Sequence, residues 1–143
     1  MDANAELLNF IYQNSEMGVK TLNQLTEIVE NADMNRQLEL QRKTYKAIHE
    51  KAKIMLNENG YDEKSIGMFE KLSVYIMINM KTLTDKSVSH IAEMLVQGSN
   101  MGVIDATKKI KEYEHGAEKD IVALMKKLLK FEEENAEKLK AYL

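Results

Sequence analysis

Turn-forming residues are scarce in this chain, and their scarcity constrains the fold more than any other feature of the sequence. The 143 residues include no proline and only six glycines. Because proline breaks helices and glycine weakens them, a sequence with so few of either favours long helices. The clearest breaks that remain are at residues 31–33, 57–62, 84–87 and 115–116. They predict five helical segments, at about 3–31, 34–58, 65–83, 87–114 and 117–142.

The apolar residues of four segments collect on one face of each helix. When successive residues are rotated by 100°, the first, second, fourth and fifth segments each show such a stripe. Four long amphipathic helices are typical of a bundle, so residues 1–143 are predicted to form a single all-α domain. The third segment is apolar around more of its circumference. A strand competes at 74–78, but a lone strand would leave its backbone groups unpaired, so a helix is preferred.

A heptapeptide is repeated in the middle of the first and fourth segments. Residues 13–19 (QNSEMGV) and 97–103 (QGSNMGV) are identical at five of seven positions. Each copy lies in the first helix of a helical hairpin, so the chain consists of two related hairpins, 3–58 and 87–142. The connection between them, 59–86, is much longer than the roughly 2–8 residues usual between adjacent antiparallel helices. This length predicts a crossover bundle, with the third segment as an extra helix in the crossover.

Three short motifs accompany this arrangement. They are the small residues within 98–102, the Met-Lys-Thr-Leu sequence at 80–83, and Tyr45-x-x-Ile48-x-x-x-Ala52 followed by Gly60. With these motifs, the chain resembles the ferritin-like superfamily, and within it the small uncharacterised bacterial domains related to rubrerythrin and to spore coat protein F. The resemblance implies a ferritin-like four-helix bundle of two helical hairpins.

Members of that superfamily commonly hold two iron ions, which need about four inward carboxylates and two imidazoles. The matching inward positions of this chain are mostly amides, glycines and apolar residues: Asn14, Gly18, Gly98, Gly102, Tyr45 and Ile48. Glu16 and Asn100 are predicted to face away from the core. Only the fifth segment retains part of the pattern, as Glu132 and Asn135 three residues apart. Because one carboxylate cannot neutralise two iron ions, we predict that there is no di-iron site and no cofactor.

The predicted core still contains more polar residues than packing requires: Asn14, Ser15, Gln41, Thr44, Tyr45, His49, Ser99, Asp105, Glu132 and Asn135. We interpret them as an internal hydrogen-bond network that fixes the register of the helices. An alternative is a pocket for a single metal ion or a small polar ligand. Its candidate ligands are His49, Asp105, Glu132 and Asn135.

Charge and composition exclude several classes of function. With 20 Lys and Arg against 23 Asp and Glu, the net charge is −3, and no basic cluster argues for nucleic acid or an anionic membrane as partner. The absence of cysteine removes disulfides, thiolate metal sites and thiol nucleophiles. Because the sequence contains no recognisable targeting segment and no apolar run of about 18 residues, a cytoplasmic protein is expected.

These observations favour a non-enzymatic structural or protein-interaction bundle. One alternative is a rubrerythrin-like, metal-dependent oxidase or peroxidase with a reduced site, and another is a carrier of a small ligand. Gly98 and Gly102 are interpreted as packing residues that let two helices approach closely.

The expected partner is a second copy of the chain, with an unidentified protein partner as the other possibility. The crossover helix has more apolar residues than one core face needs, so part of its surface is predicted to form a homodimer. The residues assigned to that interface are Phe69, Leu72, Tyr75, Ile76 and Met80.

Overall fold

The structure, a computed structural model, describes residues 2–62 and 70–143. Within these ranges the chain forms five helices and no strand. They are α1 (Ala3–Ile28), α2 (Ala32–Glu58), α3 (Glu70–Lys81), α4 (Val88–Tyr113) and α5 (Lys119–Lys140). The all-α prediction is therefore confirmed, and the four long helices match their predicted segments to within a few residues. The first part of the third predicted segment, 65–69, lies outside the described residues.

Polar side chains determine where three of the helices begin. Asp2, Asn31 and Ser87 each accept a hydrogen bond from a backbone N–H in the first turn of α1, α2 and α4. Such caps satisfy N–H groups that have no partner within the helix. Just after α2, Gly60 has a φ of 77°, in the left-handed region that favours glycine at the end of a helix. The turn signals in the sequence thus act as helix boundaries.

Contacts between side chains fix the directions of the long helices. Lys109 Nζ lies 3.5 Å from Glu6 Oε2, which joins the end of α4 to the start of α1. The Tyr142 hydroxyl donates to Asp33 Oδ2 at 2.6 Å, which joins the segment just after α5 to the start of α2. Because each contact joins opposite ends of the two chain segments, α1 is antiparallel to α4 and α2 is antiparallel to α5.

The end of α2 and the start of α4 lie at opposite ends of the bundle. Tyr61, just after α2, donates a hydrogen bond to Asp2, just before α1. Ser89, at the start of α4, donates to the carbonyl of Leu143 at 3.4 Å, beyond the end of α5. The connection between α2 and α4 therefore has to cover the length of the bundle.

Apolar side chains from all four long helices fill the core. Fully buried examples are Leu7 on α1, Leu38 on α2, Ile91 on α4 and Ile121 on α5. Burial of one such side chain stabilises the fold by about 1.5–3 kcal/mol, so the four stripes hold the bundle together without disulfides. None of the helices in 2–62 and 70–143 is long and apolar enough to cross a membrane.

Helix α3 lies on the outside of α1 and α4. The Tyr75 hydroxyl donates to the carbonyl of Met94 at 3.1 Å and to Gln97 Oε1 at 3.0 Å on α4. Ser73 Oγ lies 3.9 Å from the sulfur of Met17 on α1. These contacts place α3 across the middle of the bundle, next to both copies of the repeated heptapeptide.

The side of α3 that faces solvent differs from the one assigned from the sequence. Leu72 is buried, and Tyr75, Ile76 and Met80 pack partly against the core. Phe69 lies outside the described residues. The exposed apolar side chains of α3 are instead Val74, Met77 and Ile78. The sequence could not distinguish the two sides because both carry apolar residues.

Candidate functional site

The polar centre of the bundle is built around the carboxylate of Glu132 on α5. This side chain is only 3% exposed. The Tyr45 hydroxyl on α2 donates to its Oε1 at 2.6 Å, and Ser99 on α4 also hydrogen-bonds the carboxylate. Asn135, one turn further along α5, is buried as well. The prediction that Glu132 and Asn135 face inward agrees with the structure.

Burial alters the acidity of both partners in this hydrogen bond. Desolvation raises the pKa of Glu132 from 4.5 to about 7, and the hydrogen bonds from Tyr45 and Ser99 oppose the rise. Desolvation, followed by the charge of Glu132, also raises the pKa of Tyr45 well above its usual value of 10. At neutral pH, Tyr45 is therefore a neutral donor, while Glu132 is divided between its protonated and ionised forms.

Gly18 and Gly102 occupy equivalent positions in the repeat, and both adjoin this centre. A Cβ atom on Gly18 would lie 2.7–2.8 Å from the Tyr45 ring, so only glycine lets the ring pack against α1 at this distance. A Cβ on Gly102 would lie 3.5 Å from Asn14 Nδ2 and 3.6 Å from the carboxyl group of Glu132. Gly18 is thus a packing residue against Tyr45, whereas the distances at Gly102 are ordinary van der Waals contacts that would also admit alanine.

Gly98 has a different neighbour. A Cβ at this position would lie 3.4 Å from the end of the Ile76 side chain on α3. Because 3.4 Å is an ordinary van der Waals distance, alanine would also fit here, and the contact between the crossover helix and α4 does not require glycine. The expectation that Gly98 and Gly102 share one close helix crossing was wrong, because a helix outside the bundle meets Gly98 and core side chains meet Gly102.

A cavity of about 50 Å³ lies next to Glu132. Its polar wall consists of Asn14, Gln41, Tyr45, Ser99 and Glu132, and its apolar wall includes Leu72 and Ile76 of α3. Gln41 is 4% exposed, and its Nε2 has no hydrogen-bond partner in the structure. A space of this size admits a few water-sized molecules, so the cavity can hold only a very small guest.

His49 does not line this cavity. Its ring stacks on Tyr12 of α1, with the ring centroids 4.3 Å apart, and its Nε2 lies 3.7 Å from Glu16 Oε2. Glu16 also pairs with Lys20 at 2.8 Å, and its side chain is 19% exposed. The prediction that Glu16 faces away from the core was wrong, because α2 covers this side of α1; Asn100 is exposed as predicted.

Two further predicted members of the polar set also lie away from the cavity. Asp105 is partly buried on α4 but does not line the cavity. Thr44 donates to the carbonyl of Leu40 on its own helix at 3.3 Å. The structure therefore brings Glu132 together with Tyr45, Ser99, Asn14 and Gln41, and leaves His49 and Asp105 outside the group.

The residues present do not fit two iron ions. Across residues 2–62 and 70–143, no group of three His, Asp or Glu side chains is placed to hold a metal ion. The single central carboxylate, Glu132, already accepts hydrogen bonds from two hydroxyl groups. On α1 and α4 its neighbours are the amide of Asn14 and the backbone at Gly102, where a di-iron site needs carboxylates.

A second row of buried polar residues, on α1, was missed by the sequence analysis. Glu6, Asn9 and Gln13 are each no more than 6% exposed. Gln13 is fully buried, and neither polar atom of its amide has a partner in the structure. The signal was their spacing of three and four residues, which continues the helix face that carries Met17. Because these side chains are polar, this face of α1 was not predicted to be buried.

Comparisons with protein-family models, with curated proteins and with solved structures find no match for this chain. The ferritin-like resemblance therefore rests on the quoted sequence motifs.

Proposed function

We propose that this chain is a ferritin-like bundle without a di-iron site, and that it is a non-enzymatic structural or protein-interaction module. The helix directions support the first part of the proposal. Two antiparallel pairs, α1 with α4 and α2 with α5, are combined with a connection that covers the bundle length. A long crossover of this kind distinguishes ferritin-like bundles from up-down-up-down bundles.

The chemistry of the polar centre supports the second part. Its one carboxylate, on Glu132, is held by neutral donors, Tyr45 and Ser99. The remaining polar neighbours are amides, which contribute no charge to bind a redox-active metal. We therefore interpret the centre as a network that sets helix register, in which the Tyr45–Glu132 hydrogen bond links α2 to α5.

The main support for an interaction function is an exposed apolar face of α3. This face, formed by Val74, Met77 and Ile78, is called the free face below. These side chains are 45%, 49% and 53% exposed. Val74 and Met77 also line a mostly apolar groove of about 730 Å³ between α3 and α1, together with Met17 and Met80. Contiguous exposed apolar surface of this kind often marks a protein interface, and methionine side chains adapt readily to a partner.

A second copy of the chain is the proposed occupant. Two free α3 faces can pack against each other about a twofold axis, which is the commonest symmetry of small oligomers. Each copy would then cover the apolar side chains and the groove of the other. A different protein partner on the same face is the competing outcome.

The experiment is a comparison of oligomeric state between matched variants. Met77→Glu places a charge in the proposed interface, whereas Ile54→Glu places the same charge on α2 at a residue of similar exposure, 53%. Light scattering over micromolar concentrations is expected to show a dimer for the wild type and Ile54→Glu, and a monomer for Met77→Glu. A wild type that stays monomeric at high micromolar concentration would refute self-association.

A further inference from the structure

Glu132 is a buried carboxylate with no cationic partner among the side chains that the structure describes. Its side chain is 3% exposed, and Tyr45 and Ser99 are neutral donors. Among the side chains described, those of residues 2–62 and 72–143, no lysine, arginine or histidine forms an ion pair with it. A buried charge is costly unless it is compensated. The ionised form of Glu132 would therefore be stabilised by a positive charge placed beside it.

The cavity beside Glu132 has the size and lining to admit a small cation. Its volume of about 50 Å³ accommodates one small ion with a water molecule. Asn14, Gln41 and Ser99 line the same space and carry carbonyl or hydroxyl oxygens, which are the ligands that hard cations prefer. Gln41 Nε2 is buried without a hydrogen-bond partner, which leaves a donor that a water molecule can satisfy.

We propose that this cavity binds one monovalent cation, an alkali ion or ammonium, against the ionised carboxylate of Glu132. The single negative charge matches a single positive charge, whereas divalent ions and iron pairs need more carboxylates. Leu72 and Ile76 of α3 form the apolar wall of the site. The proposal does not require self-association, although Ile76 lines both this cavity and the groove beside the free face of α3.

Protons and the cation compete for the same carboxylate. The groups that face Glu132 from the other elements are Tyr45 from α2, Asn14 from α1, Ser99 and Gly102 from α4, and Leu72 and Ile76 from α3. Of these only Tyr45 titrates, and its raised pKa keeps it neutral near pH 7. Because the pKa of Glu132 is about 7, cation binding is expected to strengthen between about pH 6 and pH 8.

The test compares thermal unfolding at about pH 8 in potassium, sodium, ammonium and choline chloride at equal ionic strength. Choline is too large for the cavity, so it serves as the reference salt. At least one small cation is expected to raise Tm by a few degrees with saturation, and the rise should shrink at about pH 6. Glu132→Gln should abolish it, whereas Glu133→Gln, at an exposed neighbour, should retain it.

Equal Tm values in the four salts would mean that the cavity holds only water, and would overturn the proposal. An equal rise in Glu132→Gln would overturn it too, because the cation would then bind elsewhere. If Glu132→Gln fails to fold, the wild type decides the question by carbon-13 NMR titration of the Glu132 carboxyl. The proposal requires a lower pKa in the stabilising salt than in choline chloride, and an unchanged pKa would refute it.

Discussion

The two equivalent glycines of the repeat offer a matched test of the polar centre. Each replacement by alanine removes one glycine from the middle of a long helix, which stabilises the helix by about 1 kcal/mol. The structure gives the new methyl group very different surroundings at the two positions. At Gly18 it would lie 2.7–2.8 Å from three atoms of the Tyr45 ring, while at Gly102 its nearest neighbours would be 3.5–3.6 Å away.

The Tyr45 ring has little freedom to move away from a methyl group at residue 18. Phe131 packs edge-on against it, with centroids 4.8 Å apart, and its hydroxyl is held by Glu132 at 2.6 Å. Overpacking costs about 1–3 kcal/mol, and loss of a hydrogen bond to a charged group costs about 1.5–3 kcal/mol. After the helix gain is subtracted, we expect Gly18→Ala to destabilise the protein by about 1.5–5 kcal/mol. Gly102→Ala should be neutral or stabilising by up to about 1 kcal/mol.

Urea unfolding monitored by circular dichroism measures both free energies directly. The deciding quantity is the difference in unfolding free energy between the two variants, about 2.5–6 kcal/mol, because the helix term cancels from it. If Gly18→Ala is as stable as Gly102→Ala, the Tyr45 ring is not confined between α1 and Phe131. The account of Gly18 as a packing residue would then be wrong.

Three further predictions concern Glu132 and its partners. Because the folded-state pKa of Glu132 is raised from 4.5 to about 7, the folded protein holds this proton more tightly than the unfolded chain. Its contribution to stability is full below about pH 4.5 and is lost by about pH 7, a change of about 3 kcal/mol; urea titrations of the wild type should show this loss relative to Glu132→Gln. Tyr45→Phe should cost about 1.5–3 kcal/mol in the same assay by removing a donor from a buried carboxyl, and an unchanged stability would mean that the hydrogen bond contributes nothing. Iron-loaded protein should show neither an oxo-bridged absorption band nor ferroxidase turnover, and turnover that Glu132→Ala abolishes would contradict the non-enzymatic proposal.

The sequence predicted the long helices well because local signals define them. Caps at Asp2, Asn31 and Ser87 and the absence of proline act within a few residues. The inward position of Glu132 was also predictable, since a single stripe marks the core face of α5. Such reasoning fails for a helix that packs against other helices on two of its sides. Glu16 lies on the side of α1 that α2 covers, so a single inward direction assigned it to solvent.

The sequence also could not indicate which side of α3 faces the bundle, or that a cavity forms beside it. Apolar residues surround α3, so their periodicity does not indicate which of them meet the bundle. The choice is made by tertiary contacts, above all the Tyr75 hydroxyl on α4 and the Ile76 side chain against Gly98. The cavity depends on the same contacts, because Leu72 and Ile76 form part of its wall. Neither feature exists until three separate segments are packed together.

Helix α3 also explains why two nearly identical heptapeptides have different roles. Gln97 is exposed and accepts a hydrogen bond from Tyr75 of α3, whereas the equivalent Gln13 is fully buried. Ser99 hydrogen-bonds Glu132, whereas the equivalent Ser15 donates to a carbonyl of its own helix at 2.6 Å. Both repeats contact the crossover helix and the polar centre, but only the repeat on α4 accepts a hydrogen bond from Tyr75, and only the repeat on α1 provides the space for the Tyr45 ring. A structure with two equivalent hairpins has no such division, so the asymmetry follows from the single crossover helix lying against α4 at Gly98.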